Sequence, residues 1–128
     1  MTKQLIQLKL NEFILQFSEE EWCEVTLIIS GQSHYLGADS RNLVLQRFLN
    51  GFTKDFDFSS GKINGVPISC VLTLFEAHHT IYLGEIDGKR CLYFQDGDGQ
   101  IIAEVLLPAS DLSLWIENLR EHIKASEV

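Results

Sequence analysis

Two adjacent histidines, His78 and His79, and the acidic run Asp96-Gly97-Asp98-Gly99 are the residues with the most chemistry to offer. Imidazole and carboxylate ligands together suit a divalent transition metal. Neighbours on a strand project to opposite faces, so His78 and His79 can converge only in a loop. A helical HxxxH or HExxH would be stronger, and neither is present. Glu76 precedes the pair, and loops 76–79 and 96–99 fall at one end of a strand meander, about two strand spacings or roughly 10 Å apart. Glu76, His78, His79, Asp96 and Asp98 are therefore a candidate metal site. The plainer reading, two solvated hairpin loops, is favoured, because proximity is not yet coordination geometry. As a calcium loop the Asp96–Gly99 run fails. Aligning Gly99 with the required glycine puts Phe94 and Val105 where oxygen ligands must stand.

Cys23, Cys70 and Cys91 are an odd number with no CxxC, which predicts free thiols and no disulfide framework. Cys70 is expected in the core and Cys91 near Lys89 on a more open face. There is no GxSxG, no phosphate-binding glycine loop and no GxGxxG, so no cofactor is expected. Phe48, Phe52, Phe56 and Phe58 form the densest aromatic run, read as core packing in preference to a partner-binding edge. Glu19, Glu20, Glu21 and Glu24 read as a solvated rim, or as a docking patch for a basic partner.

The element that must position these residues is Val66 to Leu107, which reads as four antiparallel strands. Asp87-Gly88 is a two-residue hairpin signal. It pairs Glu85 with Arg90, Leu83 with Leu92, Tyr82 with Tyr93 and Ile81 with Phe94, each a favourable cross-strand pair. A two-residue turn at Gly97-Asp98 would put Phe94 opposite Ile101 and Leu92 opposite Ala103. A four-residue loop at Glu76–His79 would put Leu74 opposite Ile81 and Leu72 opposite Leu83. In that register one face holds Ile68, Cys70, Leu72, Leu74, Ile81, Leu83, Leu92, Phe94, Ile101, Ala103, Val105 and Leu107, and reads as core. The opposite face is mixed, and Val71, Phe75, Tyr82, Tyr93 and Ile102 make it half apolar.

Residues 2–17 fit two patterns. Ile6, Leu10, Phe13, Ile14 and Phe17 share a helical face, whereas Ile6, Leu8 and Leu10 alternate as in a strand; the absence of Gly and Pro favours a helix. Trp22–Ser30 and His34–Ala38 read as a hairpin about Ser30-Gly31-Gln32-Ser33. Asp39 or Ser40 caps a helix to about Leu49, with Leu43, Val44 and Phe48 inward and Gly51 near its end. Ser59-Ser60-Gly61 and Asn64-Gly65 mark turns. Pro108 stops the last strand, and Ser110 opens an amphipathic helix to about Lys124 with Leu112, Trp115, Ile116, Leu119 and Ile123 on its apolar stripe. No internal repeat is visible. The pattern predicts an α+β fold in a single domain over 1–128: an antiparallel sheet, made of the 66–107 meander and an N-terminal hairpin, with helices packed on it. The layout resembles secretion-chaperone dimers, and the four-strands-then-helix run resembles single-strand nucleic-acid-binding modules, in both cases without shared signature residues.

The chain has 128 residues, 45% hydrophobic and 22% charged, with a net charge of −8 and a pI near 4.8. An acidic balance with scattered Lys and Arg argues against nucleic acid and anionic membrane, and suits a basic partner. No apolar run reaches bilayer length and the start lacks a signal-peptide core, so a cytoplasmic location is expected. These features together point to a small non-enzymatic protein-interaction module of adaptor, chaperone or immunity type. Its partner would be another protein or a second copy in a homodimer, docking on Val71, Phe75, Tyr82, Tyr93 and Ile102. The alternatives are metal or small-ligand binding through loops 76–79 and 96–99, and base stacking of single-stranded nucleic acid on Tyr82 and Tyr93.

Overall fold

A computed structural model describes residues 5–54 and 59–126. Period-two alternation, not helical spacing, governs the N-terminal stretch. Ile6 and Leu8 of β1 (Leu5–Leu10) and Phe13, Leu15 and Phe17 of β2 (Phe13–Ser18) all point into the core. Asn11 takes a left-handed φ of 53° and turns the chain, which asparagine tolerates better than most residues. The helix expected over residues 2–17 is therefore corrected to a hairpin, with residues 2–4 outside the described residues. Next comes the expected hairpin, β3 (Trp22–Ile29) and β4 (Gln32–Ser40), tightened to a two-residue turn because Ser30 and Gly31 both adopt positive φ.

Ser40 then stands at the N-cap position of α1 (Arg41–Thr53), its backbone extended and its side chain making no capping bond. Val44, Leu45, Phe48 and Phe52 are buried, while Leu43, expected inward, is exposed. Phe56 and Phe58 lie outside the described residues. A two-residue strand, β5 (Lys62–Ile63), turns at Asn64-Gly65 into β6 (Val66–Thr73). The meander continues through β7 (Thr80–Ile86), β8 (Lys89–Gln95) and β9 (Ile101–Leu107) to α2 (Ala109–Ser126). The fold is α+β, with two antiparallel sheets ordered β1-β2-β3-β4 and β5-β6-β7-β8-β9. Each sheet is followed in the chain by a helix, four strands before α1 and five before α2.

The β7–β8 register about Asp87-Gly88 is the expected one throughout. Its neighbours are not. A bulge at Val71 pairs Cys70 with Tyr82 and Leu72 with Ile81, so the ladder on the two sides of Val71 is out of phase. Val71 drops into the main core, whereas Ile68 and Cys70 turn to the outer face. At the other side, Asp96 Oδ1 accepts the Asp98 and Gln100 amides at 3.0 and 2.9 Å and holds a wider loop. Phe94 therefore meets Ala103 and Leu92 meets Val105, two residues along from the expected partners. Ile101 falls opposite Gln95 and is exposed, not core.

One cluster of buried apolar residues runs through both sheets and both helices. Ring contacts thread it: Phe94 to Phe13 (5.6 Å), Phe13 to Trp115 (6.2 Å), Trp115 to Phe52 (6.0 Å), Phe52 to Phe48 (6.1 Å) and Phe48 to Phe17 (5.2 Å). Such pairs add about 0.5–1.5 kcal/mol each beyond the area they bury. The open edge of β1 is closed by α2, whose Trp115 Nε1 and Asn118 Nδ2 donate to the carbonyls of Lys9 and Gln7, both at 3.1 Å. Glu19 pins the far end of the same helix, accepting from Arg41 and meeting His122 Nδ1 at 2.6 Å. Among the described residues no helix is long and apolar enough to cross a membrane.

Candidate functional site

The two sheets join where the outer edge of β4 meets the segment that follows β6. Ala38 and Phe75 exchange both backbone hydrogen bonds, at 3.1 and 3.0 Å, and the His79 amide donates to the Leu36 carbonyl at 3.3 Å. Gly37 makes this approach possible. Its φ is +127°, and a Cβ there would lie 2.2 Å from the Phe75 carbonyl oxygen and 2.7 Å from Leu74 Cβ. Just past the joint, Glu76 and His78 hold positive φ values of 72° and 55°. Non-glycine residues in that region cost of order 1–3 kcal/mol each, and such strain gathers at functional surfaces.

Outward-facing side chains cluster over this joint. Trp22 opens β3, Tyr35 stands on β4 opposite Thr26, and Phe75 leads the connecting segment. They are 45%, 38% and 56% exposed, high for large aromatic groups. Trp22 and Phe75 stack at 6.0 Å with their planes 25° apart. Glu76 links the two sheets by side chain: its carboxylate accepts Trp22 Nε1 at 3.2 Å and the Tyr35 hydroxyl. Those bonds, Tyr35's first and Trp22's second, hold the Glu76 carboxyl below its ordinary pKa. Partial burial, and then the bond to Glu76, keep the Tyr35 phenol protonated. The joint thus presents aromatic faces around an ionised carboxylate, with Glu24 close enough to act on Tyr35.

A pH titration tests the clasp. Because the folded Glu76 pKa is depressed, the contribution of its bonds is complete above the ordinary value of 4.5 and is lost as pH falls through the lower folded value. Trp22 fluorescence should change in that acidic window, and Glu76→Gln should abolish the change. A midpoint at or above 4.5 would show that the carboxylate is not held.

Of the residues expected to form a partner-binding face, the structure leaves Phe75 on the candidate surface. Val71 is in the core because of the bulge. Tyr93 is only 1% exposed, lying with Ile68 and Cys91 beneath Ile63 of the β5–β6 hairpin. Tyr82 and Ile102 are half-buried. The mixed face is thus partly covered from within, and Tyr93 cannot offer its ring to a base. Loops 76–79 and 96–99 do approach each other: a Cβ on Gly97 would lie 3.5 Å from the Ala77 carbonyl and 3.8 Å from His78 Cβ. Their ligand atoms have other work. Asp96 ties its own loop, His79 Nδ1 lies 3.0 Å from the Ala77 carbonyl, and Glu76 is taken by Trp22 and Tyr35. Among the described residues, no three His, Cys, Asp or Glu side chains, His78 and Asp98 included, are grouped to hold a metal.

The thiols also differ from expectation. Cys70 is exposed and Cys91 buried. Desolvation is the leading cause that raises all three thiols, partial for the exposed Cys70, with Cys23 pushed up to about 11; none is shifted toward the thiolate. Trp22 and Tyr35 were not singled out by the sequence; the one signal was that large aromatics occupy outward positions of the alternating β3–β4 pattern. Comparison with protein families, with curated proteins and with solved structures returns no match.

Proposed function

We propose that this chain is a non-enzymatic protein-interaction module that docks a basic segment of a partner protein on the Trp22–Tyr35–Phe75 surface. The observation that carries this reading is the exposure of three large aromatic rings around the ionised Glu76 at the joint of the two sheets. Aromatic side chains dominate binding energetics at interfaces. A guanidinium over the face of Trp22 or Phe75 gains about 0.5–2 kcal/mol according to how far it is desolvated. The carboxylates of Glu76 and Glu24 select the same sign, and the chain's net charge of −8 draws a cationic partner toward it. Arginine suits the surface better than lysine because its planar group can stack and donate to a carboxylate at once.

The test uses an arginine-containing peptide and its citrulline analogue, which keeps the shape and removes the charge. Trp22 fluorescence should respond to the arginine peptide, the response should weaken with salt, and Phe75→Ala or Glu76→Gln should reduce affinity about tenfold, the equivalent of 1.4 kcal/mol. Equal binding of the citrulline peptide, or no response to either, defeats the reading. So does a dimer in light scattering that Trp22→Ala dissociates, since the surface would then be occupied by a second copy.

A further inference from the structure

We infer that the free edge of β9 is a second docking site, which takes an extended basic segment of a protein partner as an added strand of the five-stranded sheet. The observation is how the molecule treats its other edges. The β1 edge is closed by Trp115 and Asn118 of α2. The β4 edge is occupied by Phe75 and His79, and β5 is only two residues long. β9 is seven residues long, IIAEVLL, and among the described residues no backbone hydrogen bond reaches it from outside its own sheet. Every second residue of an antiparallel edge strand turns its N–H and C=O away from the ladder. Proteins usually blunt such an edge with lysine, proline, a bulge or a cover. β9 has no lysine and no proline; its bulge places one extra residue, Ile102, in β9 itself and leaves Ala103–Leu107 in regular register with β8.

The side chains specify the occupant. Ile101, Glu104 and Leu106 stand exposed on the outer face. An open cavity of about 330 Å³ is lined by Asn64 of the β5–β6 turn together with Ile101, Ile102, Ala103 and Glu104 of β9. Glu104 is the only charged residue of β9 and sits at its midpoint. A second copy pairing antiparallel about that midpoint would set the two Glu104 carboxylates directly opposite, which is unfavourable, and any other register shortens the overlap. A strand with lysine or arginine opposite Glu104 and apolar residues flanking it meets both features. This site uses none of the residues of the aromatic surface, although loop 96–99, which leads into β9, approaches loop 76–79.

The experiment uses the full chain carrying Trp22→Ala and Phe75→Ala, so that failure of the aromatic site cannot affect it. The probe is a short peptide alternating valine and lysine, with a valine and glutamate counterpart as control. Amide exchange by NMR should show protection gained at alternate residues of 103–107 with the lysine peptide. Glu104→Lys should weaken that peptide about tenfold and admit the glutamate peptide instead; Glu104→Gln, the gentler change, should weaken it less. Absence of binding, binding insensitive to Glu104→Lys, or protection away from β9 overturns the inference. Peptide-free self-association that protects β9 overturns it as well, by making the occupant a second copy.

Discussion

Replacing Gly37 with alanine should cost about 3–5 kcal/mol of folding stability, at the extreme of what single substitutions do. Two terms add. The backbone sits at φ +127°, a conformation that L side chains rarely adopt, worth about 1–3 kcal/mol. The new Cβ would also fall 2.2 Å from the Phe75 carbonyl oxygen and 2.7 Å from Leu74 Cβ. The first is main chain and the second lies at the root of a buried side chain, so neither can swing away. Relief requires β4 to part from residues 74–79, which breaks the Ala38–Phe75 pair and the His79-to-Leu36 bond. Gly31→Ala separates the two terms. Gly31 has φ +82° and nothing within 4 Å of a built Cβ, so only the backbone term applies, about 1 kcal/mol. Urea denaturation of both variants is the measurement. Equal shifts in midpoint would mean that the close approach at the joint contributes nothing. Trp22 fluorescence in the folded Gly37→Ala protein should also change, because the stack on Phe75 depends on that approach.

The same joint marks where sequence reasoning stops. Local rules carry far: Asp87-Gly88 specifies its turn and hence every pair from Ile86–Lys89 to Ile81–Phe94. The α2 stripe is likewise legible, with Trp115 and Leu119 buried at helical spacing. What fails is phase. Val71 is a β-branched apolar residue in an apolar run, and nothing in its type announces a bulge; core packing of Val71, Leu72 and Leu74 together decides it. Asp96 turns a plausible two-residue loop into a wider one through two side-chain-to-backbone bonds, and the partner strand moves two residues in consequence. The candidate site is less legible still. It joins residues 22, 35 and 75–76, and Gly37 reads in sequence as an ordinary glycine inside a strand. Only the meeting of two sheets makes it indispensable.

Trp115→Ala should be about as costly as Gly37→Ala, roughly 3–5 kcal/mol, through loss of a buried aromatic side chain and the cavity left behind. Trp115 ties the two sheets together. It belongs to the helix after the second sheet, yet it stacks on Phe13 of the first, meets Phe52 of α1 edge-on and donates to the Lys9 carbonyl. Trp115→Phe separates packing from the hydrogen bond. The ring contacts are kept in part, and the lost bond should cost about 1 kcal/mol, since Lys9 is exposed and water can reach its carbonyl. If alanine proves no worse than phenylalanine, the ring chain is not what holds α2 to the first sheet. The double variant Trp115→Phe, Asn118→Ala addresses the edge itself. It removes both side-chain donors that occupy β1 while leaving most of the core in place. Concentration-dependent association should then appear in light scattering, with amide protection gained at residues 5–10. That result would show that α2 is what denies β1 to other strands, and that the difference between a closed β1 and an open β9 is built into the fold.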